Sequence, residues 1–355
     1  MLRALGGLGE AWCPVARITI QDVAREAGVS VATVDRVLNR RSGVRAETVK
    51  RVEAAADKLA YQPDRLAARL ARARDYRFCF ILPTGTNTFM QTLRAEVEGT
   101  AERLSVERVR IAVRLVDVFD AMALAEELES LGDDFDGVAV VALDHPAVRE
   151  AINGLVDAGV KVVTLVSDAP GAKRVHYVGI DNTAAGRTAA MLLGRFIGQR
   201  DGKVGLIAGS LALRDHVERQ FGFEQVMARE VPHLEVLPLR EGRDGDEKVQ
   251  AVTAALLEET PDLAGIYNVG AGNRGIAAAL EAAGRAQEVV FLAHDLTPFT
   301  RRLLVRGIID AVVNQDPGHQ ARSAARVLLS ACEGTPIVVD QERIRIDVFL
   351  RDNIP

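Results

Sequence analysis

Apolar residues recur three and four apart through residues 18–38. Ile20, Val23, Ala24 and Ala27 share one helical face, and Val34, Val37 and Leu38 share the next. Gly28 between them suits the positive φ that ends a helix. Ser30 suits the cap of the second helix, accepting a free backbone N–H from its first turn. The spacing predicts two short helices joined by a tight turn, with Val31, Ala32, Asp35 and Arg36 on the outer face of the second. A third helix follows over about 46–59, with Val49, Val52, Ala56 and Leu59 inward. Such a turn can set a helix into a DNA major groove, although a plain helical hairpin shares the pattern.

From Tyr76 the period changes. Short apolar runs at 77–82, 110–116, 137–142, 161–165, 175–179, 203–207, 234–239, 264–268, 289–293 and 309–313 read as strands. Amphipathic helical stretches such as 147–158, 184–197, 275–283 and 319–331 lie between them. Alternating β and α elements imply parallel sheets covered on both faces. Ten strands exceed one comfortable core, so two subdomains are expected.

Charge sharpens the division. The net charge of −5 argues against nucleic acid for the whole chain, yet residues 17–77 hold 14 Lys and Arg against 8 Asp and Glu. A small basic unit on a large acidic body suits DNA binding by the first and another task for the second. Cys13, Cys79 and Cys332 are few, odd in number and far apart, which fits a reducing cytoplasm and no disulfide or metal framework. Cys79 sits in an apolar run and reads as a small core residue. No run of about 18 apolar residues exists to span a membrane. Residues 1–16 are too interrupted, by Glu10 and Trp12, for a signal peptide, and read as a disordered extension.

The stretch Val23-Ala24, Ala27-Gly28-Val29-Ser30, Thr33-Val34 and Arg36-Val37-Leu38-Asn39, followed by Tyr61-Gln62-Pro63-Asp64, resembles the lactose-repressor/galactose-repressor (LacI/GalR) family of bacterial transcription regulators. The resemblance implies a small all-α helix-turn-helix headpiece with a hinge helix, then a two-lobed α/β core like that of periplasmic binding proteins. It places the DNA-binding domain at 17–62, the hinge and linker at 63–75, the effector domain at 76–350 and a tail at 351–355. Lobe 1 takes about 76–181 and 316–340. Lobe 2 takes about 182–315 and 341–350. Crossings fall near Asp181, Gln315 and Asp340. The ligand cleft is expected at the carboxyl ends of the strands.

The same resemblance assigns DNA contacts to Ser30, Val31, Ala32, Thr33, Arg36 and Asn39, with Arg40-Arg41 on phosphates. Val31 and Ala32 could touch a thymine methyl, and Arg36 could pair with a guanine edge. Asp35 stands where the family has Ser, which puts a phosphate contact there in doubt. Arg45 could restore an attractive charge. In the hinge, Ala67 and Arg69 would face the minor groove and Leu70 would wedge a base step. The effector set is Asn87 and Phe89 after the first strand, Asp144 and His145 after the third, then Arg219, Asp295 and Gln315. These residue types match a neutral sugar or polyol, whose hydroxyls both donate and accept. His294, beside Asp295, reads as packed or exposed rather than functional.

One motif favours a rival. Gly270-Ala271-Gly272-Asn273-Arg274-Gly275 is a G-x-G-x-x-G that follows a strand and opens a helix, with Asp295 twenty residues on. That is the pattern of a dinucleotide site and motivates an NAD-binding redox regulator or enzyme. Against it, other αβ units of the same lobe precede the motif. A solute-binding receptor is a further alternative, opposed by the basic unit. The expectation is a homodimeric cytoplasmic repressor with operator DNA and a sugar or polyol as partners. No catalytic residues, metal, cofactor or membrane contact are expected.

Overall fold

The computed structural model describes residues 18–38, 42–61, 74–85 and 87–355. Asn39, Ala67, Arg69 and Leu70 lie outside the described residues, as do 1–16 and the Arg40-Arg41 pair. The chain divides into two compact units, one ending at Arg74 and the other beginning at Asp75.

The described residues of the first unit form three helices. Thr19 and Asp22 form a reciprocal cap on helix Ile20–Ala27, with the Thr19 N–H donating to Asp22 Oδ2 at 2.9 Å. Gly28 ends that helix at φ 63°. Helices Val31–Leu38 and Ala46–Lys58 follow. Val23, Val34 and Val52 are fully buried where the three meet, with Ala24, Ala27, Val37 and Ala55 around them. The helical period read from the sequence therefore describes the core of this unit.

The second unit holds two sheets. In lobe 1, β1 (Tyr76–Pro83), β2 (Val109–Val116), β3 (Gly137–Val140), β4 (Lys161–Leu165) and β5 (His176–Val178) run parallel in the order β2-β1-β3-β4-β5. Successive β1 residues face opposite layers. Phe78, Phe80 and Leu82 share a core with helices Thr88–Ser105 and Pro317–Glu333. Cys79 and Ile81 share another with helices Ala121–Ser130 and Pro146–Asp157. Cys79 is thus a core residue, and burial pushes its thiol up to about 11.

Lobe 2 contains β6 (Gly202–Ala208), β7 (Leu234–Val236), β8 (Arg240–Glu241), β9 (Leu263–Asn268), β10 (Val290–His294), β11 (Ala311–Gln315) and β12 (Ile346–Phe349). Their order is β12-β11-β10-β9-β6-β7, with β8 also on β6. All pairs are parallel except β11 with β12. β8 and β12 lie outside the apolar runs of the sequence. The chain passes between lobes after β5, after β11 and before β12. The last passage follows helix Val339–Glu342, whose Glu342 is bound to Ser323 and Arg326 of lobe 1. It therefore falls beyond Asp340, at residues 343–345.

Two helix pairs cover lobe 2. Asn182–Ile197 and Arg214–Glu230 touch backbone to backbone. A Cβ on Gly186 would lie 2.0 Å from Arg219 O, and one on Gly222 would lie 2.1 Å from Thr183 O. This contact fixes where Arg219 projects. Among the described residues no helix is long and apolar enough to cross a membrane.

Candidate functional site

In both lobes the sheet order reverses beside an early strand: β1 lies between β2 and β3, and β6 between β7 and β9. Ligands bind outside such strand ends in open α/β sheets. A cavity of about 330 Å³ occurs there. Lobe 1 supplies Asn87, Phe89, Asp117, Phe119, Val166 and Ser167 to its wall. Lobe 2 supplies Asp215, His216, Arg219, Asp244, Asn273, His294 and Asp295, and Gln315 lies at a passage between lobes.

Arg219 anchors the floor and is 2% exposed. Its Nε donates to Asn182 Oδ1 at 2.9 Å and its Nη1 to Val269 O at 2.7 Å. Nη2 lies 3.5 Å from Asp215 Oδ2, one helical turn earlier. Beside it, Tyr267 stacks on Phe223 with ring centroids 4.8 Å apart. The Tyr267 hydroxyl lies 2.7 Å from His294 Nε2. Burial, with the charge of Arg219, holds the His294 imidazole well below its ordinary pKa, so it is neutral at pH 7.

Asp295 follows β10 at φ 65°. Its carboxylate accepts the Gln315 backbone N–H and Nε2, both at 3.3 Å. Burial pushes this carboxyl up to about 6, against the lowering pull of Arg219 and Gln315. Val166, at the end of β4 in lobe 1, has the same left-handed backbone at φ 65°. Arg243 and Asp244 are also left-handed. All four line the cavity. Such strain in residues with a Cβ persists where surrounding structure enforces it, and it gathers at ligand sites.

Four buried polar atoms on the wall have no hydrogen-bond partner: Ser167 Oγ, Asp215 Oδ1, Arg219 Nη2 and His294 Nδ1. An unmade bond at a buried polar atom is costly, and the residues that carry these four atoms all line the cavity.

The structure brings Asn87, Phe89, Arg219, Asp295 and Gln315 together on this wall. It does not bring Asp144 and His145 there. β3 stops at Val140, and the next five residues turn toward helix Pro146–Asp157. Asp144 pairs with Arg149 at 3.2 Å, and His145 Nδ1 caps the helix by accepting the Ala147 N–H. Val141, the residue after β3, lines the cavity instead. Sequence reasoning missed Asp215, His216, Asp244 and Phe119. Only Asp215 carried a legible signal, standing one turn before Arg219. His294 is packed, and it also lines the cavity.

The glycine motif has a different role from the dinucleotide one. A Cβ on Gly275 would lie 2.1 Å from Asp246 O, so that glycine lets helices Asp246–Glu259 and Asn273–Ala282 touch. A Cβ on Gly270 would lie 2.7 Å from Asp244 Oδ1. That carboxylate accepts the Ala271 N–H at 2.9 Å, where a pyrophosphate would have to sit. The loop cradles the protein's own anion, which corrects the dinucleotide reading.

In the helical unit, Ser30 Oγ accepts the Thr33 N–H at 3.2 Å and lies 2.9 Å from Thr33 Oγ1. Ser30 and Thr33 thus shape the start of the second helix. Val31, Ala32 and Arg36 lie on its outer face, as the period predicted, with Val31 and Ala32 exposed and Arg36 open to solvent.

The chain thus joins a two-lobed α/β unit, with a cavity at its strand ends, to a unit with two short helices around a tight turn. Residues 19–64 match the bacterial regulatory proteins of the lacI family, and residues 78–336 match the periplasmic binding protein domain. The chain belongs to the periplasmic binding protein domain family through its larger unit, and its helical unit carries the match to the lacI family. It is 28% identical over 212 residues to the D-ribose/D-allose-binding protein of Pseudomonas aeruginosa, covering 56% of this chain and 64% of that protein. It is 43% identical over 84 residues to the HTH-type transcriptional regulator pepR1 of Lactobacillus delbrueckii subsp. lactis, covering 24% of this chain and 25% of that one. The chain therefore spans less than two thirds of either relative. GanP, a glucose-galactose binding protein from Geobacillus stearothermophilus, shares the fold of the larger unit. Its TM-score is 0.72 at 23% identity, over 79% of this chain and 99% of GanP.

Proposed function

We propose that this chain is a homodimeric transcriptional regulator, most simply a repressor, whose operator affinity is set by a neutral monosaccharide or polyol in the cavity. The polar wall carries this reading, with Asp215, Arg219, Asp295 and Gln315 lining one cavity beside Phe89 and Phe119. A neutral hydroxyl suits such a wall, because it both donates to a carboxylate and accepts from a guanidinium. Phe89, Phe119 and Phe299 offer apolar faces for ring carbons. Among relatives, the Pseudomonas aeruginosa protein binds D-ribose and D-allose by name. Arg219 and Asp295 then act by holding ligand, without turnover, and the protein works in the cytoplasm. Among the described residues no cluster of His, Cys, Asp and Glu could hold a metal ion.

On the DNA side, two identical headpieces call for a pseudopalindromic operator. Selection of the full chain against random duplexes is expected to enrich one. Arg36→Ala is then expected to weaken specific binding by about 1–3 kcal/mol and to relax preference at one base pair per half-site. Fluorescence anisotropy at fixed salt reads both effects. Enrichment of no symmetric site, or an unchanged affinity for Arg36→Ala, counts against this readout.

A further inference from the structure

We propose that Asp244 is a lobe-bridging latch, a positioning residue that closes the cavity through the protein's own polar contact. Asp244 belongs to lobe 2, and its Oδ1 is held by the Ala271 N–H at 2.9 Å. Its Oδ2 accepts from Asn87 Nδ2 of lobe 1 at 3.2 Å. Asn87 in turn caps helix Thr88–Ser105, its Oδ1 accepting the Phe89 and Met90 N–H groups. One residue earlier, the Arg243 guanidinium lies 5.5 Å from the Phe119 ring centroid, also in lobe 1. Two adjacent side chains of lobe 2 thus reach across the mouth.

The surroundings are shaped for this turn. Arg243 and Asp244 stand at φ 49° and 57°, a conformation unfavourable for residues with a Cβ. The Arg243 N–H donates to Gly209 O at 2.9 Å and the Gly242 N–H to Ala208 O at 2.7 Å, tying the turn to the end of β6. A Cβ on Gly209 or Gly270 would lie 2.3 or 2.7 Å from Asp244 Oδ1. The glycine motif thus leaves room for a carboxylate whose second oxygen faces the other lobe. Closure by the protein itself raises the population of the binding-competent state, and apparent ligand affinity follows that population.

The latch belongs to the cavity assigned above and rests on that reading, but its test uses no ligand. Spin labels at Glu126→Cys in lobe 1 and Glu258→Cys in lobe 2, both exposed, report the lobe separation. The full chain carries Cys13→Ser and Cys332→Ser; Cys79 is fully buried and stays. Double electron–electron resonance is expected to show one short-distance population for the parent. Asp244→Asn faces the Asn87 amide with a second donor, and Asn87→Asp faces the carboxylate with another. Each is expected to raise the open-to-closed ratio about tenfold, the scale of one lost charge-assisted hydrogen bond. Combining Asp244→Asn with Asn87→Asp rebuilds the bridge in reverse, with the amide now in lobe 2 donating to a carboxylate in lobe 1. This double exchange is expected to return the parent distribution. A parent already open, or a double variant no nearer the parent than the single ones, overturns the latch. Retained helical circular dichroism confirms that each near-isosteric variant is folded.

Discussion

Arg219→Met is expected to abolish the ligand response and to lower the stability of the larger unit by about 3–5 kcal/mol, the cost of leaving a buried carboxylate without its countercharge. Asp215 is 5% exposed and has Arg219 as its buried cationic neighbour. Replacing both together, as Arg219→Met with Asp215→Leu, is expected to cost less than Arg219→Met alone, because no lone charge remains. Arg219→Lys separates stability from recognition. It keeps the charge, but one ammonium nitrogen cannot stand where both Nε and Nη1 stand to donate to Asn182 and Val269. Its expected signature is a modest loss in urea unfolding and a loss of about 1.5–3 kcal/mol in ligand affinity. Unchanged ligand affinity in Arg219→Lys would remove the guanidinium from the site.

The second large effect is a pH dependence centred on Asp295. Its carboxyl rises from 3.8 to about 6 because it is buried. The folded protein therefore binds this proton more tightly than the unfolded chain. The stabilisation is fully present below pH 3.8 and is lost as pH rises through about 6. Above that, the ionised carboxylate costs roughly 3 kcal/mol. Asp295→Asn is expected to stabilise the ligand-free protein by up to that amount at about pH 7 and by little at about pH 4. The amide chain beyond it can accommodate the change. Gln315 Oε1 now accepts from Gln320 Nε2, and Gln320 Oε1 is without a partner, so both amides can reverse. Urea titrations across this range check the sign, and a difference independent of pH would sink it. Ligand hydroxyls donating to the ionised Asp295 should bind more weakly as pH falls below about 6.

The sequence pattern exposed the fold wherever an element buries a continuous apolar face. β1 and β4 lie within a residue of their apolar runs, and Val23, Val34 and Val52 follow from helical period alone. β12 escaped because Ile346–Phe349 is an antiparallel edge strand, half-buried and broken by Asp347. The assignment at Asp144 failed because apolar character continues through Leu143, although β3 ends at Val140. Arg219, Asp295 and Gln315 were legible from their motifs. Asp244 was not, because its place depends on a left-handed turn at two residues that are not glycine, which no local propensity announces. The glycines that accommodate it are visible in the sequence, but their pattern points to a foreign anion rather than to the protein's own carboxylate.

If one neutral polyol couples the cavity to the DNA-binding unit, operator affinity must respond to it. The direct measurement is operator affinity of the full chain, by fluorescence anisotropy at fixed salt, with a panel of pentoses, hexoses and inositols, and NAD as a control. A ligand can shift this equilibrium only through different affinities for the DNA-competent and incompetent states. The expected result is that one neutral sugar or polyol changes operator affinity about tenfold or more, while NAD changes nothing and Arg219→Lys blunts the response. A shift produced by NAD and by no sugar, or tight sugar binding that leaves operator affinity untouched, would contradict the coupling.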